Sequence, residues 1–110
     1  MNICSYTNIN TMVEKRQTIK VQEAVSVFRI LSSKTRIDII CTLMEAEGED
    51  ICVYEIAEKI GQSHSATSHQ LAKLEFANIV RSKRMGQMMC YELKDNEKTD
   101  TLIRIIKEFI

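Results

Sequence analysis

The most chemically pointed stretch of this chain is Ser63-His64-Ser65-Ala66-Thr67-Ser68-His69-Gln70. On a helix, Ser65, Ser68, His69 and Ala72 fall at i, i+3, i+4 and i+7 and share one face. That face is short, uncharged and rich in hydrogen-bonding groups, with Gln70 and Lys73 at its margins. Hydroxyl, imidazole and amide groups can meet base edges in a major groove, and a glutamine can pair with adenine through two bonds. Serine and alanine let the helix come close to its target. Backbone N–H groups at the helix start, near Ser63 and His64, can hold a phosphate. An ordinary solvated face uses the same residue types, so this stretch alone does not decide the matter.

Basic residues flank it. Arg81, Lys83 and Arg84 precede Met85-Gly86, and Gln87 follows. A basic tip on a projecting hairpin suits phosphates or a minor groove. Lys34 and Arg36, at the start of another helical pattern, offer a further phosphate contact. Lys and Arg together number 15 and so do Asp and Glu, giving zero formal net charge. Nucleic-acid affinity must therefore come from local patches.

The other reactive groups are sparse. Cys4, Cys41, Cys52 and Cys90 form no CxxC pair, and in a reducing compartment they read as thiols or ligands. His64 and His69 belong with the polar face, because His69 has only Ser65 and Lys73 at helical spacing. There is no Ser-His-Asp set, no paired carboxylates and no glycine-rich phosphate loop, with only three glycines in all. The chain does not read as an enzyme.

These residues need elements to hold them. With 110 residues there is room for one domain: a flexible N-terminal arm over residues 1–18, in which Met12 could be an alternative start, and a folded domain over 19–110. No apolar run approaches the ~20 residues of a membrane span, and the start lacks a secretory pattern, so the cytoplasm is the expected compartment. Val21, Ala24, Val25, Phe28 and Leu31 mark a first helix. Ser33 caps a second, which carries Ile37, Ile40, Cys41 and Met44 on one face with Ile39 and Leu43 beside it, and reads as buried. Val53, Ile56, Ala57 and Ile60 predict a third helix ended by Gly61, and Ser63 caps a fourth reaching about Ala77. Leu71 and Leu74 of that helix point inward. The short link between the last two has helix-turn-helix spacing.

Ile79–Lys83 and Met88–Leu93 then read as strands about a Met85-Gly86-Gln87 turn, and a last helix carries Leu102, Ile105, Ile106 and Phe109. Ile103 and Ile110 make its apolar stripe wider than one small core needs, which predicts a homodimer. The expected fold is mainly α with a small β-hairpin wing, a winged helix-turn-helix of order α-α-α-α-β-β-α.

The same residues resemble the ArsR/SmtB family of repressors. Ile51-Cys52-Val53-Tyr54-Glu55-Ile56-Ala57 is similar to that family's "LCVGDLA", and Ser63 to Leu71 to its recognition-helix signature "SxSAVSHQL". Arg84-Met85-Gly86-Gln87 with Tyr91-Glu92-Leu93 resembles its wing, "RxGxxxxYxL", and Leu31 to Ile37 resembles "LadptRl". The likeness runs from about Val21 to Ile110. It implies a winged-helix homodimer built on the first and last helices. An inducer, often a metal ion, would release it from a palindromic operator in double-stranded DNA. It also places Ser65, Thr67, Ser68, His69 and Gln70 in the recognition helix and Arg84 and Gln87 at the wing.

The resemblance leaves the effector open. Family members that bind soft metals use a Cys-x-Cys pair; here Cys52 keeps the first position and Tyr54 takes the second. Cys4 on the arm is the candidate partner, and two thiols make a thin site. Asp95 matches a family zinc ligand, but Glu97 and Glu108 stand where histidines are expected; an acidic helix start and end is the simpler reading. Cys41 resembles the first cysteine of thiol-oxidation sensors and lacks its usual partner. Packing accounts as well for a buried cysteine, and Cys90 has no role beyond it. No cofactor is required, a soft metal ion being the one candidate. The alternative to a DNA-binding repressor is a winged-helix module for protein–protein contact.

Overall fold

The computed structural model describes residues 20–110. The expected arm, with Cys4 and Met12, lies outside the described residues. Residues 20–31 are helical and are called α1. It is followed by α2 (Lys34–Glu45), β1 (Ile51–Cys52), α3 (Val53–Ile60), α4 (His64–Phe76), β2 (Val80–Met85), β3 (Met88–Leu93) and α5 (Glu97–Lys107).

Local chemistry sets the boundaries. Ser33 is extended, and its side chain accepts from the Arg36 N–H at the start of α2. Glu47 and Gly48, both with positive φ, turn the chain after α2. Gly61 takes the left-handed conformation (φ 70°, ψ 33°). There Gln62 N–H reaches Ala57 O and Gly61 N–H reaches Glu58 O, closing α3 with paired bonds. Asn78 does the same after α4 at φ 68°, with Ile79 N–H on Leu74 O and Asn78 N–H on Glu75 O. Asn96 caps α5 by accepting from Thr99 N–H. Glu97 and Asp100 in its first turn and Arg104 and Lys107 in its last suit the helix dipole.

The sheet has three antiparallel strands in the order β1-β3-β2, one more than the hairpin expected. A two-residue strand has no period to read, and Ile51-Cys52 merges with the apolar start of α3. β3 is the central strand, paired along both edges, and its successive residues Cys90 and Tyr91, which point to opposite faces, are both buried. β2 begins one residue later than expected and runs two residues further. The turn is the two residues Gly86 and Gln87, with Gly86 at φ 67°. A positive φ at the first turn position is the type II′ geometry, which matches strand twist and favours glycine there.

One core joins all layers: Val27 and Ile30 of α1, Ile39, Ile40 and Leu43 of α2, Val53 and Ile56 of α3, Leu71 and Leu74 of α4, Val80 and Tyr91 of the wing, and Leu102 and Ile106 of α5. α2 packs on α3, α4 and β3 and so sits centrally. Ile37, Cys41 and Met44 are only half-buried, whereas Thr42 is buried, so α2 is less enclosed than its sequence implies. Emptying a buried leucine such as Leu71 costs about 2–5 kcal/mol.

Candidate nucleic-acid interface

α3 and α4 are joined by Gly61, Gln62 and Ser63 alone. Ser63 Oγ accepts from Ala66 N–H at 3.1 Å and starts α4. Leu71 and Leu74 turn the inner face of α4 into the core. On its outer side Ser65, His69, Ala72 and Lys73 are exposed, and Ser68 and Gln70 are half-buried. His64, at the helix start, is exposed beside Ser63. The short, uncharged, hydrogen-bonding surface expected of this helix is present and open.

Three expected contact residues are placed differently. Thr67 is fully buried and its hydroxyl donates to Ser63 O at 2.8 Å. It fastens the first turn of α4 and does not face outward, because i+4 from the cap falls on the inner stripe. Arg36 is half-buried, and its guanidinium donates to Gln70 Oε1 at 3.0 Å, Ile30 O at 3.3 Å and Arg29 O at 2.7 Å. Its donors therefore serve the end of α1 and the side of α4, and Gln70 is engaged by Arg36. Lys34 is exposed and pairs with Asp38 at 2.6 Å, a surface ion pair of little energetic consequence that a phosphate could displace.

The wing stands against α4. Ser82 of β2 donates to the Glu75 carboxylate of α4, and Arg81 pairs with Glu92 across the strands at 3.5 Å. Lys83, Arg84 and Gln87 are exposed at the tip, and neither cation forms an ion pair among the described residues. Met85 and Met88 flank the turn with exposed side chains. Charge counting passed over these two.

Two features had no sequence signal. Asn78 links α4, wing and α5, accepting from Lys94 Nζ at Oδ1 and from Asn96 Nδ2 at its carbonyl, both at 2.8 Å. Phe76, at the end of α4, is 95% exposed. It borders a cleft of about 810 Å3 that also holds Arg29, His69, Lys73 and Lys98 and no acidic residue.

The thiols divide into two settings. Cys41 lines an open cleft with Lys34, Asp38 and Glu45. Burial, then the Asp38 and Glu45 carboxylates, push its thiol above the ordinary range, which disfavours a reactive thiolate. Cys52 ends β1 as the residue before α3, and its strand partner is Cys90. The Cys52 side chain first, then burial, push the Cys90 thiol up to about 11. Tyr54 is exposed. Asp95 and Glu97 lie at one end of α5 and Glu108 just past the other, roughly 16 Å apart at helical rise, so one chain does not gather them. No group of three or more His, Cys, Asp or Glu suited to a metal ion occurs among the described residues. Likewise no described helix is long and apolar enough to cross a membrane.

The comparison with known proteins agrees with this architecture. The model of the family described as "Bacterial regulatory protein, arsR family" matches residues 33–82, from the cap of α2 into β2. The HTH-type transcriptional regulator KmtR of Mycobacterium tuberculosis is 37% identical over 79 residues, which is 72% of this chain and 58% of that protein. The transcriptional repressor SmtB homolog of Synechocystis is 31% identical over 77 residues, 70% of this chain and 56% of that protein. The match thus spans somewhat more than half the length of these relatives. Among solved structures, the AntR antimony-specific transcriptional repressor aligns with a TM-score of 0.70 at 26% identity, covering 81% of this chain and 75% of that one. Its helix order, wing and sequence together place this chain in the ArsR/SmtB family of winged helix-turn-helix transcriptional regulators.

Proposed function

We propose that the chain is a homodimeric, sequence-specific DNA-binding regulator. It acts as a repressor released from a palindromic operator by an inducer, either a soft metal ion or thiol oxidation. The observation that carries this reading is the exposed face of Ser65, His69 and half-buried Ser68 on α4, beside a wing tip whose Lys83 and Arg84 have no ionic partner among the described residues. Such a helix reads base edges while the flanking cations hold phosphates. A protein–protein module would instead present an apolar face along α4, whose exposed apolar residues are Ala72 and, at its last position, Phe76.

The dimer reading is supported by surplus apolar surface on α1 and just past the end of α5. Phe28 is 65% exposed and Phe109 is 87% exposed, with Val21, Val25 and Ile110 also exposed. Phe28, Leu31, Ile37, Ile105 and Phe109 line a groove of about 440 Å3 between α1, α2 and α5. A second copy offers the same surface in return, as a twofold contact requires.

Titrating the reduced protein on DNA from its own promoter, over a range of salt, tests the proposal. Tight binding that falls steeply with salt is expected; no preference for promoter DNA overturns it. Repeating the titration with zinc, cadmium, arsenite, a persulfide donor and peroxide identifies the inducer class.

A further inference from the structure

Cys52 and Cys90 are directly opposed in the antiparallel pairing of β1 with β3, so both side chains leave the sheet on one face. Opposed residues in such a pair have Cα atoms about 4.5–5.5 Å apart, inside the roughly 4.4–6.8 Å range of disulfides. The register makes the two thiols neighbours, and the Cys52 side chain is the foremost influence raising Cys90. Cys90 is 1% exposed, whereas Cys52 is half-buried and reachable. Cys41 lies on α2 in a separate cleft.

We propose that Cys52 and Cys90 form one dithiol site that a low-molecular-weight disulfide oxidises to a cross-strand disulfide, fastening the wing to the start of α3. The half-buried Cys52 thiolate attacks the small disulfide, forming a mixed disulfide and releasing one small thiol. Cys90 then loses its proton to solvent and attacks Cys52 Sγ, displacing the second. Two protein thiols are oxidised and one small disulfide is reduced to two thiols. A metal is the poorer ligand here: no third donor completes a metal-binding group among the described residues. The Asp50 and Glu55 carboxylates act on Cys90 and favour an uncharged state of the pair. The disulfide is uncharged.

The position gives the bond a consequence. β1 leads directly into α3, the first helix of the helix-turn-helix, and β3 is the inner strand of the wing. Closing the pair draws two Cβ atoms from about 4.5–5.5 Å to about 3.8 Å, which shifts the wing relative to α3 and α4. This deepens the proposed inducible regulator by naming one trigger. The effect on DNA rests on that reading; the thiol chemistry does not.

The test treats the reduced chain with oxidised glutathione, maps its peptides by mass spectrometry and measures promoter affinity in parallel. Two thiols per chain should disappear into a Cys52–Cys90 link. Affinity should weaken about tenfold, as for one lost good contact, and return with a reducing agent. Cys90→Ser should stop at a glutathione adduct on Cys52, Cys52→Ser should leave Cys90 unmodified, and Cys41→Ser should behave as wild type. Survival of both thiols, or a link through Cys41 or Cys4, overturns the dithiol site. A Cys52–Cys90 link that leaves affinity unchanged overturns its regulatory role. A reduced chain that ignores promoter DNA yet forms the link refutes the proposed function and upholds the dithiol site.

Discussion

The Arg36 guanidinium donates to Gln70 Oε1 at 3.0 Å while its other nitrogens hold the carbonyls of Ile30 and Arg29. One side chain thereby satisfies two acceptors at the end of α1 and braces the outer flank of α4. α4 is thus braced on its flank by a residue whose sequence position suggested a phosphate contact. The planar fork reaches the three acceptors from three separate nitrogens, whereas a lysine offers all its donors from one.

Arg36→Ala should therefore lower stability by about 1.5–3 kcal/mol, the scale of hydrogen bonds to a charged group. Arg36→Lys should recover only part of it. Urea unfolding of both variants checks this. Wild-type stability in Arg36→Ala would mean that the three bonds contribute nothing net.

Replacing Ser68 and His69 together by alanine should abolish operator binding and leave the fold intact. His69 is exposed and makes no hydrogen bond among the described residues, and Ser68 is only half-buried. Circular dichroism with a DNA titration reads both halves; unchanged affinity would remove α4 from the recognition role.

At the wing tip, Arg84→Ala should weaken binding about equally for all sequences and reduce the salt slope by roughly one. A change in sequence preference instead would make Arg84 a reader of bases.

Dimerisation is best tested at Phe28 and Phe109. Ile106, on the stripe that suggested a dimer, is 5% exposed within a single protomer. Ile106→Asp would damage the fold before any interface, whereas Phe28→Asp or Phe109→Asp removes only exposed apolar surface. Light scattering should show a dimer for wild type and monomers for these variants. A wild-type monomer would overturn the homodimer.

Cys90 titrates near 11 when folded, against an ordinary thiol at 9.0. Between those values the folded state keeps a proton that the unfolded chain has shed. Its contribution is present below pH 9 and is lost as pH rises through about 11. Unfolding midpoints across that window should fall with pH, less steeply in Cys90→Ala. Cys41 and Tyr91 are raised as well and keep some slope in the variant. An identical slope in both proteins would exclude Cys90 as a source.

Much of the architecture was legible along the chain because its signals are local. Ser33 and Ser63 cap the helices they were expected to cap, and Gly61 adopts the left-handed turn. Periodicity located Leu71, Leu74, Leu102 and Ile106 in the core. Each depends on residues within about two helical turns of one another.

What tertiary structure alone decided depends on partners far apart in sequence. Thr67 and Ser68 are adjacent and chemically alike, yet the first falls on the inner stripe of α4 and is buried while the second stays half-open. Arg36 and Gln70 read as two DNA contacts until the crossing of α2 and α4 made them each other's partner. Cys52 and Cys90 carried no common motif, and a two-residue strand made them neighbours. The sequence determined the helices, the hairpin and what chemistry α4 carries. Which polar groups of α4 stay exposed and which thiols meet was settled by the fold, because a side chain's availability is fixed by what packs against it.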